Sequence, residues 1–269
     1  MKLFEAKNVS KNIDGTMVLS DISITFSQGE RIAITGSNGS GKSSLLKFIG
    51  GIYVETDGAV QREELKIGYV PEHFPENIRF KIKDYLLLVG NMGAKSDDNT
   101  HNKIEYYTEV FAIKDFLNTP IKKCSKGTKQ KVGIIQALIM QPDLLLLDEP
   151  LTGLDDKAQM EFLHQLQSLS EEITILFTVH DQLLIERIAN RVIVMEGGKI
   201  VSDTAKGKKE ITRIIKAIIP KSGLVSEFPN HKLIGQNMFE IVVPATESDQ
   251  VLAKLLELGC SIIELREKR

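Results

Sequence analysis

Apolar residues follow two rhythms along this chain, one of period two and one of helical period. Leu3 to Val9 and Ile22 to Phe26 read as short strands, each followed by a polar turn, "KNIDG" and "SQGE". The compact apolar run "RIAIT", Arg31 to Thr35, leads through a glycine-rich segment into "KSSLLKFIGG", which has helical spacing. From about Gly68 to Ile121 the pattern is helical, with "KIKDYLLLV" and "KIEYYTEVFAI" separated by the polar loop "KSDDNTHNK". Next come the strand "LLLLD", a helix through "AQMEFLHQLQSL", the strand "ITILFTV", the helix "QLLIERIAN", and the strands "RVIVM" and "KIVS" around Gly197 and Gly198. Strands alternating with helices predict a mainly parallel sheet covered on both faces. The tail from about Ala205 opens on a basic helix-like stretch. It continues as a strand, a turn at Gly235, the strand "FEIVV", the helix "DQVLAKLLEL" and the strand "SIIEL". The predicted organisation is an α/β domain over 1–204, with a helical subdomain inserted at about 73–135, and a small α+β region over 205–269.

Composition narrows the function classes. The 269 residues are 42% hydrophobic, enough for a substantial core. Lys and Arg total 34 against 36 Asp and Glu, so the net charge of -2 provides no basic field for nucleic acid, and no nucleic-acid partner is expected. Cys124 and Cys260 stand too far apart in sequence to define a disulfide framework or a zinc motif, which points to a reducing, cytoplasmic setting. The opening "MKLFEAKNVS" has no apolar signal core, and no run approaches the roughly 18 apolar residues of a membrane span.

The chemistry is concentrated at two motifs. "GSNGSGKS" matches the phosphate-binding loop G-x-x-x-x-G-K-[ST] in every fixed position, at Gly36, Gly41, Lys42 and Ser43, with Ser37, Asn38, Gly39 and Ser40 between them and Ser44 next on the helix. Glycines let successive backbone N–H groups turn toward one anion, and the positive end of the helix reinforces them. Lys42 then reaches the outer phosphates of ATP, and the Ser43 hydroxyl reaches Mg²⁺. "LLLLDE" ends a buried strand on Asp148, placed to hold Mg²⁺ opposite Ser43, and on Glu149, placed to polarise the water that attacks the γ-phosphate. The same two carboxylates could also simply cap the following turn. His180 follows "ITILFTV" at the carboxyl edge of a core strand, where ligands collect, and reads as a donor to the γ-phosphate or as a structural histidine.

In this order the motifs resemble the ATP-binding cassette ATPase family, over Leu3 to about Ser202. The resemblance implies a phosphate-loop NTPase cassette: a mainly parallel core sheet, an antiparallel β subdomain, an inserted helical subdomain and, here, a small C-terminal α+β extension. "CSKGT" stands where the family carries a signature beginning Leu-Ser-Gly-Gly-Gln; Ser125 and Gly127 match it, and Cys124, Lys126 and Thr128 depart. That placement implies that Ser125, Gly127 and Thr128 contact a nucleotide held by a second cassette, most simply in a homodimer; Ser125 also reads as a plain helix cap. "LTGLD", Leu151 to Asp155, matches the loop that runs along the family's dimer interface. Glu72 in "YVPE" replaces a Gln that senses Mg²⁺ and contacts the membrane partner, a variant that resembles export cassettes. Ile13 stands where the family has an aromatic residue against adenine. The implied function is ATP hydrolysis coupled to transport, with a separately encoded permease holding the subunit to the inner face of the cell membrane.

Two other readings stay open at this stage. One is a soluble cassette ATPase of translation, repair or cluster assembly; translation factors of the resembled family usually carry two cassettes in one chain, and its repair ATPases insert a long coiled coil. Here one cassette is present, and about 105 residues with no sustained heptad separate the two motifs. A phosphate-loop kinase would have no use for "CSKGT", "LTGLD" and His180 together.

Overall fold

The computed structural model describes residues 1–92, 99–179, 181–206, 212–218, 231–235, 237–245 and 247–267. The chain forms two compact units, Met1–Lys206 and Gly207–Arg269. In chain order the first holds β1 (Lys2–Ile13), β2 (Thr16–Ser27), β3 (Arg31–Thr35), α1 (Lys42–Ile49), β4 (Asp57–Arg62), β5 (Ile67–Val70), α2 (Ile82–Met92), α3 (Asn99–Val110), α4 (Lys126–Ile139), β6 (Leu144–Leu147), α5 (Asp156–Ser168), β7 (Thr174–Thr178), α6 (Gln182–Ile188), β8 (Arg191–Glu196) and β9 (Lys199–Ala205). The second holds β10 (Thr212–Ile218), β11 (His231–Leu233), β12 (Met238–Pro244), α7 (Ser248–Glu257) and β13 (Ser261–Glu267).

The core sheet of the first unit runs in the order β5-β6-β7-β3-β8-β9, parallel throughout except where β9 turns back antiparallel on β8. Every residue of β6 and β7 is buried, as expected of strands covered on both faces. Alternate residues divide between two cores. Ala33, Leu145, Leu147, Ile175 and Phe177 face the side of α4, α5 and the helices inserted before them; Ile32, Ile34, Leu144, Leu146, Leu176 and Ile193 face α1 and the antiparallel sheet β2-β1-β4. In a parallel sheet the carboxyl ends of β3, β5, β6 and β7 all open on one edge. The phosphate loop, Glu72, Asp148 and Glu149 lie at or just beyond those ends.

Several local expectations are corrected. Lys11, Asn12 and Ile13 of "KNIDG" remain in β1, and the turn is only Asp14-Gly15, with φ of 47° and 83°. Two consecutive positive φ values are what a tight two-residue hairpin demands, and Asp-Gly supplies them. Gly68 to Val70 belong to the core strand β5 and are not helical. The "NTHNK" half of the expected polar loop is the start of α3, where buried Thr100 packs against Gly90 of α2; a Cβ at Gly90 would fall 2.5 Å from its methyl group.

The second unit is an antiparallel sheet of order β11-β12-β10-β13 with α7 on one face. Its opening was expected to be helix-like. Residues 207–211 lie outside the described ones, but Thr212–Ile218 is a strand whose Ile215 and Ala217 share one face and pack in the core with Leu255 of α7. Two adjacent isoleucines and a threonine suit a pleated, half-buried surface better than a helix.

Candidate functional site

The phosphate loop joins β3 to α1; conformation requires all three of its glycines, and space requires Gly36 and Gly41 as well. Gly36, Gly39 and Gly41 have φ of 142°, 78° and 102°, values that residues with a Cβ rarely adopt. A Cβ on Gly36 would lie 2.2 Å from the Met195 carbonyl oxygen, and one on Gly41 2.9 Å from that of Val18. Ser40 is buried, and its carbonyl accepts from the Gly198 N–H at 2.9 Å, which ties the loop to the β8–β9 hairpin. Lys42, the first residue of α1, folds back over the loop, where its ammonium donates to the carbonyls of Gly36 at 2.9 Å and Ser37 at 3.1 Å. The charge is thereby held at the centre of the loop.

Behind Lys42, the Ser43 hydroxyl donates to Asp148 Oδ1 at 2.9 Å. The same carboxylate oxygen accepts from Thr178 Oγ1 at 2.8 Å, and Tyr69 OH stands 3.5 Å from Oδ2. Burial, and then the neighbouring Asp148 carboxylate, hold the Tyr69 phenol well above its ordinary pKa, so it remains a neutral donor. Thr178 Oγ1 also accepts the Glu149 N–H at 2.8 Å, and Glu149 adopts a left-handed φ of 44°. A bulky residue in that conformation must be held there by its surroundings. The turn it makes brings Glu149 to the wall of the phosphate-loop cleft.

That cleft, of about 770 Å³, is lined by Asn38, Gly39, Gly41, Lys42, Ser43 and Ser44 together with Glu72 and Glu149. Gly36, Ser37 and Ser40 are not part of this lining; the first two meet Lys42 through their carbonyls, and Asp148, only 2% exposed, is reached through Ser43. Its apolar wall is Met17 and Val18 of β2, with Gly197 and Gly198 nearby. Ile13 is not part of this lining; it ends β1, paired with Thr16 across the hairpin. His180 lies outside the described residues.

The "CSKGT" turn stands outside the cleft. Ser125 caps α4, accepting from the Thr128 N–H at 3.1 Å, and its hydroxyl lies 2.9 Å from that of Thr128. The helix start is docked on the Pro150–Asp155 loop of the same chain: Gln130 donates to the Pro150 carbonyl at 3.3 Å, and Lys131 reaches Asp155 at 3.4 Å. Gly127 sits so close that a Cβ would fall 2.6 Å from the Gly153 carbonyl oxygen. Ser125 and Lys126 stay exposed at the helix tip. Burial raises the pKa of the Cys124 thiol beside them.

Thr178, Tyr69, Met17 and Val18 escape the sequence reading. Thr178 carried a signal, as a hydroxyl closing a buried strand beside the carboxylate strand. Met17 and Val18 carried none, because their place at the cleft depends on the hairpin turn.

Among the described residues no helix is long and apolar enough to cross a membrane. The sequence profile of the family described as "ABC transporter" matches residues 19–152. An ABC transporter ATP-binding protein of Methanocaldococcus jannaschii is 32% identical over 86% of this chain and 84% of its own length. The spermidine/putrescine import ATP-binding protein of Fusobacterium nucleatum is 32% identical over 97% of this chain and 70% of its own, and a Nod factor export ATP-binding protein of Rhizobium johnstonii is 31% identical over 72% and 67%. Among solved structures, an ATP-binding subunit of an ABC transporter superposes with a TM-score of 0.69 at 25% identity, covering 76% of this chain and 90% of that one. A dimeric cassette bound to ADP and Pi superposes with the same TM-score at 23% identity, over 76% of this chain and 99% of that one.

Proposed function

The chain belongs to the ABC transporter family as an ATP-binding, ATP-hydrolysing subunit, and from that premise we propose that two copies pair head to tail around two ATP molecules and drive a separate permease. Each nucleotide is held by the phosphate loop of one copy and met by the Ser125–Thr128 turn of the other. The carrying observation is the division of the site within one chain. Lys42, Ser43, Glu72 and Glu149 share one cleft, whereas the capped tip of α4 stands outside it with Ser125 exposed. An exposed helix start suits an anion supplied from outside the chain.

Magnesium suits the donors present. A hydroxyl and a carboxylate 2.9 Å apart are hard oxygen ligands, and among the described residues no cluster of three or more acidic, His or Cys side chains forms a protein-only metal cage. Mg²⁺ uses such partial sites, completing its shell from phosphate and water. Ser43 and Asp148 would hold it, with Glu72 at the cleft wall, and it would neutralise charge on the β- and γ-phosphates. Within the chain, Glu149 is the base that takes the proton of the attacking water, Lys42 positions the γ-phosphate, and Thr178 holds the Asp148 carboxylate and the Glu149 backbone N–H. We assign His180 as a donor to the γ-phosphate.

For direction we propose export. Glu72 in place of Gln supports it, while the relatives include both import and export subunits. The subunit then works at the cytoplasmic face of the membrane, held there by its permease.

Mixing two defective chains tests the shared site. Lys42→Ala removes the phosphate contact, and Ser125→Glu sets a negative charge against the incoming γ-phosphate. Gly127 is unsuitable for this purpose because any side chain there strikes Gly153 within its own chain. In a head-to-tail heterodimer one site collects both defects and the other has neither, so mixing restores ATPase activity that each lacks alone. No recovery from folded, exchanging mutants refutes the shared site. Export is checked separately, by the direction of substrate movement in vesicles carrying the permease.

A further inference from the structure

The sheet of the C-terminal unit ends on an open strand. β13 pairs with β10 on one side and, among the described residues, with nothing on the other. It is seven residues long, and its Ile263 and Leu265 are 49% and 44% exposed. A strand of this length with apolar side chains and unpaired backbone groups is a template for another strand. Its charged residues determine which one.

Glu264 pairs with Lys216 of β10 at 2.6 Å and with Arg266 at 3.0 Å, all on the face opposite α7. Leu265, opposite Ile215, is on the α7 face. We infer that β13 pairs antiparallel with β13 of a second copy about a two-fold axis through Leu265, joining two four-stranded sheets into one. The register follows from the pleat and the charges. Directly opposed residues share a face, so a two-fold axis perpendicular to the sheet must pass through a residue and not between two. Centred on Glu264, the axis opposes that carboxylate to itself; centred on Arg266, it opposes the guanidinium to itself. Ile263 sits at a bulge, where the register against β10 jumps from Glu264 to Ile262, so a regular pair cannot centre there. Only the Leu265 centre sets Glu264 against Arg266 of the second copy, twice over, and stacks Leu265 on its own equivalent. The same charges that would repel other registers select this one.

The contact requires no nucleotide and is independent of the head-to-tail site proposed above. Cysteine cross-linking reads the register directly. Across an antiparallel pair, opposed Cα atoms lie about 4.5–5.5 Å apart, within disulfide reach, whereas residues offset by two positions lie about 7–8 Å apart, beyond it. Under mild oxidation without nucleotide, Leu265→Cys should form covalent dimers roughly ten-fold or more faster than Glu264→Cys or Arg266→Cys alone, since only the first is within disulfide reach of its own copy. An equimolar mixture of Glu264→Cys and Arg266→Cys should recover the fast rate. The parent, with Cys124 and Cys260, supplies the background, and circular dichroism with ATP binding verifies that each variant is folded. Sedimentation gives an independent reading: Glu264→Lys and Arg266→Glu should each lower the nucleotide-free dimer fraction, and both changes in one chain should restore it. Equal cross-linking at the three positions, or a dimer fraction unmoved by either charge reversal, overturns the inference. Failure of Lys42→Ala and Ser125→Glu to complement leaves these outcomes unaffected.

Discussion

Thr178→Val is the most informative single change in the catalytic cleft. The substitution keeps the shape of a fully buried side chain and removes only its hydroxyl. That hydroxyl donates to Asp148 Oδ1 at 2.8 Å and accepts the Glu149 N–H at 2.8 Å. A hydrogen bond to a charged acceptor contributes about 1.5–3 kcal/mol, and leaving a buried N–H unsatisfied costs about 1–3 kcal/mol. The two are not strictly additive, so the expected loss is about 3–5 kcal/mol, or about 6–20 °C in the melting temperature of a unit of this size. Function should fall further than stability alone explains. Without the hydroxyl, Asp148 keeps, among the described residues, Ser43 and the distant Tyr69 phenol, and Glu149 loses the bond to the backbone group that carries its left-handed turn. The Mg²⁺ concentration needed for half-maximal ATPase should rise, and turnover at saturating Mg²⁺ should drop, while ATP binding without Mg²⁺ persists through the phosphate loop. Thr178→Ser keeps the hydroxyl and should stay close to the parent in all three measurements. Thermal denaturation in EDTA and an ATPase titration against Mg²⁺ suffice. If Thr178→Val melts with the parent and titrates like it, the hydroxyl does not organise the carboxylates and the reasoning fails.

Three further changes probe the site. Glu149→Gln should keep ATP binding and lower turnover by about 10²–10⁴-fold, the scale of a lost general base, as read by single-turnover hydrolysis. Gly36→Ala forces a Cβ to within 2.2 Å of the Met195 carbonyl oxygen at a φ of 142°, and should abolish ATP binding in a calorimetric titration even where the chain still folds. Gly127→Ala brings a methyl group to 2.6 Å from the Gly153 carbonyl oxygen, so it should destabilise the chain by about 1–3 kcal/mol in urea denaturation, the usual cost of overpacking.

What could be read from the sequence depended on how local the determining physics is. The central strands and the phosphate loop are specified within a few residues: "RIAIT" forms a strand with those limits, and "LLLL" forms one that is buried throughout. Elements whose limits depend on distant partners were missed. β4 is nearly all exposed, with no apolar alternation to announce it, and forms because β1 offers it an edge. Gly68 of β5 has the Ala137 carbonyl 2.9 Å from where a Cβ would be, so α4 can lie close against that strand; a lone glycine beside a helical pattern does not announce this. In the tail, "TRIIKAI" carries two lysine or arginine residues among apolar ones and suits either period until Ile215 and Ala217 meet α7. At the site, motif residues were legible because phosphate chemistry fixes their spacing, whereas Thr178 and Tyr69 act on Asp148 from strands 30 and 79 residues away along the chain.

The Pro150–Asp155 loop connects these observations. It begins directly after Glu149, whose left-handed turn sets its direction, and it carries the docking points of α4: the Pro150 carbonyl for Gln130, the Gly153 carbonyl against Gly127 and the Asp155 carboxylate for Lys131. The backbone that places the base for one nucleotide therefore also places the Ser125 tip that, in the proposed pair, meets the other. Gly127 and Gly153 lie too close for either element to shift alone, because an interface packed at backbone distance transmits displacement and does not absorb it. A change in the Glu149 turn on hydrolysis would then be felt at the neighbouring site. The docking contact leaves no room for a side chain at Gly127, whereas Ser125 and Lys126 beside it are exposed.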